Sequence, residues 1–394
     1  MSLEAGASSA VRSRAGALER ELDEGGCGMK FSGSYDAVDV IFLLKPVQLS
    51  LTPVAEKERL IQSRTRHYSE LLSAEALPST EYLRLFHDAL MRHQQRFAND
   101  VIRLARRIAE LQSGPITLVS LARAGTPIGA MLKRVLQQKL GRKASHYSIS
   151  LIRDRGIDTV ALRFLLRSHP PASIVFVDGW TGKGVMSREL QQALESFHAS
   201  DGIRLNAGLH VITDLSGTAA EAATSEDYLI PCSLLGATIS GLVSRSILNS
   251  DVVGPDDFHG CVLYSDFAEH DLTRWFLDVM TGEIERQWSA AGDLGEVMTE
   301  VERQRQRDRC QKLLADMAEQ FGVRDANHIK PGIGEATRVL LRRVPSHLLL
   351  RDKASNDVQH LLEVAKRRAV PVLVDPDLPY HAVSLIRDFG NGES

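Results

Sequence analysis

The segment from Ile174 to Leu190, IVFVDGWTGKGVMSREL, limits what this chain can fold into more than any other stretch. Four apolar residues run into Asp178, a glycine-rich turn follows, and then a helical pattern begins. A short apolar run bounded by a turn is the mark of a buried strand. That strand delivers a carboxylate and a flexible turn to the edge of a sheet. The backbone amides of Gly182, Lys183 and Gly184 would face whatever sits above the helix start. Unpaired amides and the helix dipole both favour an anion there. The same residues also suit an ordinary strand-turn-helix with a glycine stop.

Strand and helix alternate through the middle of the chain. Ile116 to Ser120, His146 to Ile152, Ile174 to Val177 and Leu209 to Thr213 read as strands, with Tyr228 to Pro231 as a short fifth. A helix from Pro127 to about Lys139 separates the first two. This order predicts an α/β fold with a parallel sheet and helices on both faces. In such sheets ligands sit at the carboxyl ends of the strands. The loops that begin at Leu121, Arg153 and Asp178 are therefore the informative ones.

Upstream, SYDAVDVIFLLKPV (Ser34 to Val47) reads as extended, and Thr52 and Pro53 open a helix. Leu83, Phe86, Leu90, Phe97, Val101, Leu104 and Ile108 recur at helical spacing and predict a long helix from about Thr80 to Leu111. Downstream, Asp266 to Met317 is helical and charged. The expected layout is a mobile tail at 1–31, a sheet domain with an N-terminal helical extension at 32–265, a helical connector at 266–320, and a small α/β domain at 321–394.

The 394 residues suit two domains. Lys and Arg total 47 against 50 Asp and Glu, which excludes a globally basic coat and leaves room for a local basic patch. No apolar run is long enough to span a bilayer, and the first residues lack a secretory core. A cytoplasmic location with no membrane partner is the expectation. Cys27, Cys232, Cys261 and Cys310 form no CxxC pair and no zinc-spaced cluster with His. Reduced, structural thiols are expected, and no metal ligand set is identified.

Each informative loop carries a cation or an acid. LARAGTPIG (Leu121 to Gly129) holds Arg123, and Gly125 permits close backbone approach. RDRGID (Arg153 to Asp158) sets two arginines around a glycine, a pattern that suits an anionic ligand or a solvated turn. DGWTGKG is not a Walker A loop, because Gly184 stands where Ser or Thr must follow the lysine. The three loops in this order resemble the type I phosphoribosyltransferases. The resemblance implies a pyrophosphate loop at Ala122, Arg123, Ala124 and Gly125, and a hood with Arg153 and Arg155. It implies ribose recognition by Asp178 and a 5′-phosphate site at Thr181, Gly182, Lys183 and Gly184. It further implies Mg²⁺, a PRPP-like phosphorylated sugar as donor, transfer of a ribosyl phosphate to an unknown base or small acceptor, and a homodimer. Gly179 and Trp180 depart from that family's paired acids, which weakens ribose recognition. Arg245, in SGLVSRS, faces either the acceptor or a dimer partner on this reading.

SYDAVDVIFLL, SLARAGTPIG, VDGWTGKG and SGLVSRS together resemble one bacterial family. It joins a phosphoribosyltransferase-like domain to a Pelota-like RNA-binding domain, is associated with tellurite- and stress-response gene clusters, and includes members labelled cysteine protease StiP. In the Pelota-like part, KPGIGEATR would face RNA, with Lys330, Gly332, Gly334 and Arg338 as the binding residues. Two other functions stay open: an RNA-binding regulator that senses a phosphorylated, nucleotide-like ligand, and a cysteine protease. For the latter, Cys232 follows a proline and Cys261 lies near His259, without a recognisable hydrolase signature.

Overall fold

The structure, a computed structural model, describes residues 31–292 and 298–388. All but the last residue of the expected tail lies outside the described residues.

The first unit is built on a parallel sheet. After the short strands β1 (Ile41–Phe42) and β2 (Lys45–Pro46) come the helices α1 (Val54–Gln62) and α2 (Thr80–Leu111). Then follow β3 (Ile116–Leu121), α3 (Thr126–Gln138), β4 (Ala144–Ile149), the small hairpin β5 (Leu151–Ile152) and β6 (Gly156–Ile157), and α4 (Thr159–Leu166). β7 (Ile174–Thr181), α5 (Val185–Asp201), β8 (Leu209–Asp214) and β9 (Glu221–Thr224) complete the alternation. The strands lie in the order β1-β4-β3-β7-β8-β9, and every pairing is parallel. Apart from the edge strand β1, the chain steps outward from β3 to β4 and then crosses to β7. The winding therefore reverses between β3 and β7, the position where doubly wound sheets hold ligands.

Side-chain alternation explains the layers. Leu118, Val175, Val177 and Ile212 point to one face, where α2, α3 and a later helix cover them. Val119, Leu121, Phe176 and Val211 point to the other, under α4 and α5. Phe86, Leu90, Phe97, Val101, Leu104 and Ile108 of α2 are all buried, as their spacing predicts. The Ser79 side chain caps this helix by accepting from the Tyr82 amide.

Two expectations need correction. The fifth strand of the sheet is Glu221–Thr224, not Tyr228–Pro231; the latter segment turns off the sheet into a single 3₁₀ turn at Pro231–Ser233. The half-exposed residues of β9 hid its strand character. The segment read as a connector begins with β10 (Gly260–Cys261), just upstream, and α6 (Thr273–Gln287). Phe276, Leu277, Met280 and Ile284 of α6 are buried in the sheet unit's own core, so this helix belongs to that unit.

The second unit follows α7 (Glu300–Phe321), which opens with a Thr299–Glu302 capping box. It contains β11 (Ile329–Pro331), α8 (Ile333–Arg342), β12 (Pro345–Leu350), α9 (Gln359–Arg367), β13 (Val372–Val374) and β14 (Ala382–Ile386), in the sheet order β11-β14-β12-β13. Its core is continuous with the first. Ile333, Ala336 and Leu340 join the α2 and α3 cluster, and Leu215 packs with Ile329, Leu349 and Tyr380. The Tyr380 hydroxyl also donates to the Leu215 carbonyl at 2.7 Å. No helix among the described residues is long and apolar enough to cross a membrane.

The β3–α3 turn depends on Gly125. A Cβ there would lie 2.6 Å from the Val177 carbonyl oxygen and 3.0 Å from the Asp178 Cα, both backbone atoms of β7. Gly125→Ala is expected to cost about 1–3 kcal/mol, in the range of overpacked core positions. Gly114→Ala, with nothing within 4 Å of the added carbon, should melt close to the parent. Thermal denaturation of the two variants checks this, and equal melting temperatures would contradict it.

Candidate functional site

The carboxyl ends of β3 and β7 open into a cavity of about 830 Å³ whose far wall is the second unit. Arg123 and Asp178 come from the two strand ends, Tyr68 and Glu75 from the segment before α2, and Lys330, Glu335, Arg338 and Arg342 from β11 and α8. Among the described residues that line it, eleven are Lys or Arg and five are Asp or Glu. The near-neutral chain thus concentrates positive charge in one interior place.

Asp178 lies at the reversal point and is 8% exposed. Its Oδ1 accepts from the Gly179 amide at 2.8 Å. Burial pushes its carboxyl up to about 6, against the pull of that amide and of Arg338. Arg338 lies 5.3 Å over the Trp180 ring and pairs with Glu335 at 2.9 Å. Trp180 follows Asp178 by two residues and so leans to the same side of β7. Its buried indole N–H has no hydrogen-bond partner.

Arg123 reaches across the cleft. It donates to the Val243 carbonyl and pairs with Glu75, which also accepts from the Ala237 amide at 2.9 Å. Burial alone would raise Glu75, but Arg123 and Arg342 hold it down at about 2. Glu75 carries no sequence signal, since its partners come from three distant segments. The other residues of the first loop do different work. Ala124 borders a small side pocket, and Gly125 permits the contact with β7 described above. The Ala122 amide donates to the Ile149 carbonyl of β4.

The turn at Thr181 to Gly184 is covered rather than open. The Gly184 amide donates to Thr181 Oγ1 at 3.0 Å. At Gly182 an added Cβ would sit 2.7 Å from the Pro331 carbonyl oxygen. Lys183 crosses to the second unit and donates to the carbonyls of Ala326 and Ile329. Burial first, and then the charge of Lys330, bring its ammonium down to about 7.

The expected RNA-facing turn meets this same place. An added Cβ at Gly332 would lie 2.6 Å from Leu215, and one at Gly334 2.8 Å from Trp180. The Ile333 amide donates to Asp227 at 2.9 Å. Gly332 and Gly334 thus pack on the first unit, while Lys330 and Arg338 line the cleft, with the Arg338 side chain 40% exposed. Close approach of the Leu215 and Trp180 side chains, with a φ of +91° at Gly332, accounts for the glycines.

Arg153 and Arg155 part company. Arg153 lines the cleft above the Tyr68 ring, while Arg155 points outward to Glu70 at 3.3 Å. Arg245 lines the cleft and donates to the carbonyls of Tyr68 and Leu71. Among the described residues no group of three or more His, Cys, Asp or Glu sits together to hold a metal.

None of the described cysteines is prepared for nucleophilic work. Burial pushes the Cys232 thiol up to about 12 and also raises Cys261 and Cys310. His259, near Cys261 in sequence, spends its ring on Ser150 at 2.8 Å. Cys27 lies outside the described residues.

A two-unit α/β protein with a basic cleft at the sheet's reversal point is the class this geometry defines. A family profile described as "Tellurite-like stress resistance cysteine protease StiP" matches residues 33–281, and one described as "PELOTA RNA binding domain" matches 308–388. The chain is 41% identical over 373 residues to a protein of Acinetobacter baylyi named cysteine protease StiP, covering 92% of this chain and 96% of that relative. The chain therefore belongs to the StiP family and carries a Pelota-like domain. A hypoxanthine phosphoribosyltransferase from Trypanosoma cruzi, solved with IMP, aligns over 49% of this chain and 92% of its own at 14% identity. Its TM-score of 0.25 is too low to carry an argument.

These findings correct the functional expectation. Phosphoribosyl transfer rested on loop resemblance, and the family that covers the chain is named for an enzyme of another kind. The transferase and PRPP assignments are withdrawn with it; that the chain is an enzyme stands. The tellurite- and stress-resistance association agrees with the family to which the chain belongs.

Glu75→Gln should leave Arg123 and Arg342 buried without their counter-charge, at a cost of about 3–5 kcal/mol. Glu75 titrates lower in the folded chain than in the unfolded one. Its contribution is therefore complete above the ordinary value of 4.5 and is lost as pH falls toward about 2. The stability gap between parent and variant, measured by denaturant unfolding, should narrow over that window. A gap independent of pH would contradict this account.

Proposed function

We propose that the chain is an enzyme that holds a phosphate-bearing substrate in the cleft between its two units and acts on it by proton transfer through Asp178. The observation that carries this reading is the excess of cations lining one cavity around a buried carboxyl placed where the sheet reverses. Buried, like-charged groups are costly unless an anion joins them. The charges of Lys330 and Arg153 both oppose that of Lys183, and the nearby carboxylates answer them singly, Asp154 to Arg153 at 3.0 Å and Glu335 to Lys330 at 3.8 Å. A phosphate group supplies what this set lacks.

Asp178 and Lys183 titrate near neutrality, at about 6 and about 7, which suits groups that exchange or hold protons during turnover. Asp178 serves as base once ionised, above about 6, and Lys183 anchors the anion while charged, below about 7. Turnover should therefore peak between these values and fall on both sides. For the architecture alone, the strand order and loop sequences support a type I phosphoribosyltransferase-like sheet, without that family's reaction.

Peptide hydrolysis, the activity in the relative's name, is a second reading. One observation favours it: Cys232 borders the small pocket that Arg123 and Trp180 share with the main cleft. Phosphorus NMR of a pool of phosphorylated metabolites, incubated with the full chain, separates the two. At least one resonance should change with the parent chain and not with Asp178→Asn. An unchanged pool, together with peptide cleavage that Cys232→Ala abolishes, would overturn the first reading in favour of the second.

A further inference from the structure

The cleft has a second basic pole, away from the turn at Thr181 to Gly184, and the reading above does not use it. Lys57, on α1, is 8% exposed and lines the cavity. Its ammonium makes no hydrogen bond or ion pair with any described residue. The adjacent carboxylate, Glu58, is taken: it accepts from Arg343 at 2.7 Å. Arg245 stands beside Lys57. One end of its guanidinium holds the Tyr68 and Leu71 carbonyls, and the buried Nη1 at the other end has no partner. Ser73, two residues past Leu71, lines the same cavity with a buried hydroxyl that also lacks a partner.

Two polar atoms without a partner, Arg245 Nη1 and Ser73 Oγ, are therefore buried in this cavity, which the Lys57 side chain also lines. Almost all buried polar groups in folded proteins are paired; Arg245 and Lys57 can only donate and the Ser73 hydroxyl can donate as well as accept, so the partner that serves all three is an acceptor. The partner must be an acceptor with several oxygens and negative charge. Burial, and then the charge of Arg245, lower the Lys57 ammonium to about 8, and burial lowers Arg245 to about 10, so both are held in place at a cost to the ligand-free chain. The Arg245 guanidinium lies 5.4 Å over the Tyr68 ring, and Tyr264 lines the same cavity.

We propose that Lys57, Arg245 and Ser73 form a second oxyanion site for a phosphate group, so that the cleft takes a substrate with two separate anionic groups, one here and one beside Lys183 and Lys330. This rests on the reading of the cleft as a phosphate-bearing substrate's site. The charge of Arg343 is felt by both Lys57 and Lys330, which links the two poles into one field. A substrate with one anionic group would leave one pole unpaired.

Equilibrium dialysis of the full chain with labelled inorganic phosphate tests the proposal. The parent should bind two phosphates per chain at saturation, Lys57→Met one, and Lys183→Met one. Arg245 also holds two backbone carbonyls, so its variants are less informative; Lys57 has no such structural task. Lys57→Met should melt higher than the parent without phosphate, because a buried unpaired charge has been removed, and should gain less from added phosphate. A parent that binds one phosphate, unaltered in Lys57→Met, overturns the second site and leaves the first. A parent that binds none overturns both.

Discussion

Burial of unbalanced charge between two packed units is the constraint on which the rest of this structure depends. A folded chain tolerates interior cations only where carboxylates, carbonyls or a ligand answer them. Here Glu58, Glu75 and Glu335 each hold an arginine brought from the second unit or from the first loop. Of these, Glu58–Arg343 ties the end of α8 to the first unit, together with Glu75–Arg342 at 3.9 Å. They do not use up the positive charge, and the surplus lines the cavity. Docking of the units and shaping of the cleft are thus one event: the residues that seat the Pelota-like domain also build the wall opposite Asp178.

The strand-helix alternation was legible because it is local. Ile116–Leu121 and Ile174–Thr181 are continuous apolar runs, and α2 shows its buried stripe at helical spacing over Thr80–Leu111. That Arg123, Asp178 and Lys183 would meet at one edge of the sheet was also legible, since loops at the carboxyl ends of neighbouring parallel strands converge there. Less visible was the strand Glu221–Thr224, whose partly exposed residues lack a strong apolar signal. The relation between VDGWTGKG and KPGIGEATR was not visible at all. Each looks like an independent phosphate or RNA loop, yet Gly334 owes its missing side chain to Trp180, and Gly182 to the Pro331 carbonyl. A glycine that admits a neighbour's backbone and one that admits a ligand read the same in sequence. Glu75, Lys57 and Ser73 carry no motif, and only tertiary placement gives them meaning.

The family name and the thiols of this chain point in different directions. A cysteine nucleophile needs a depressed pKa or an adjacent base. Cys232, Cys261 and Cys310 are buried in settings that raise their thiols. Burial moves Asp178 up to about 6, and burial with the charge of Lys330 brings Lys183 down to about 7, so both lie near neutrality in a shared cavity. The physical chemistry of the described residues therefore favours proton transfer on an anionic substrate over thiol attack.

Hydrogen exchange of the full chain, with and without inorganic tripolyphosphate, tests most directly whether the two units form one anion-holding cleft. Amides at 181–184 and at 329–342 should slow together as the polyanion is added, because each segment forms one wall of the same cavity. Protection of one segment without the other, or of a surface elsewhere, would contradict that claim.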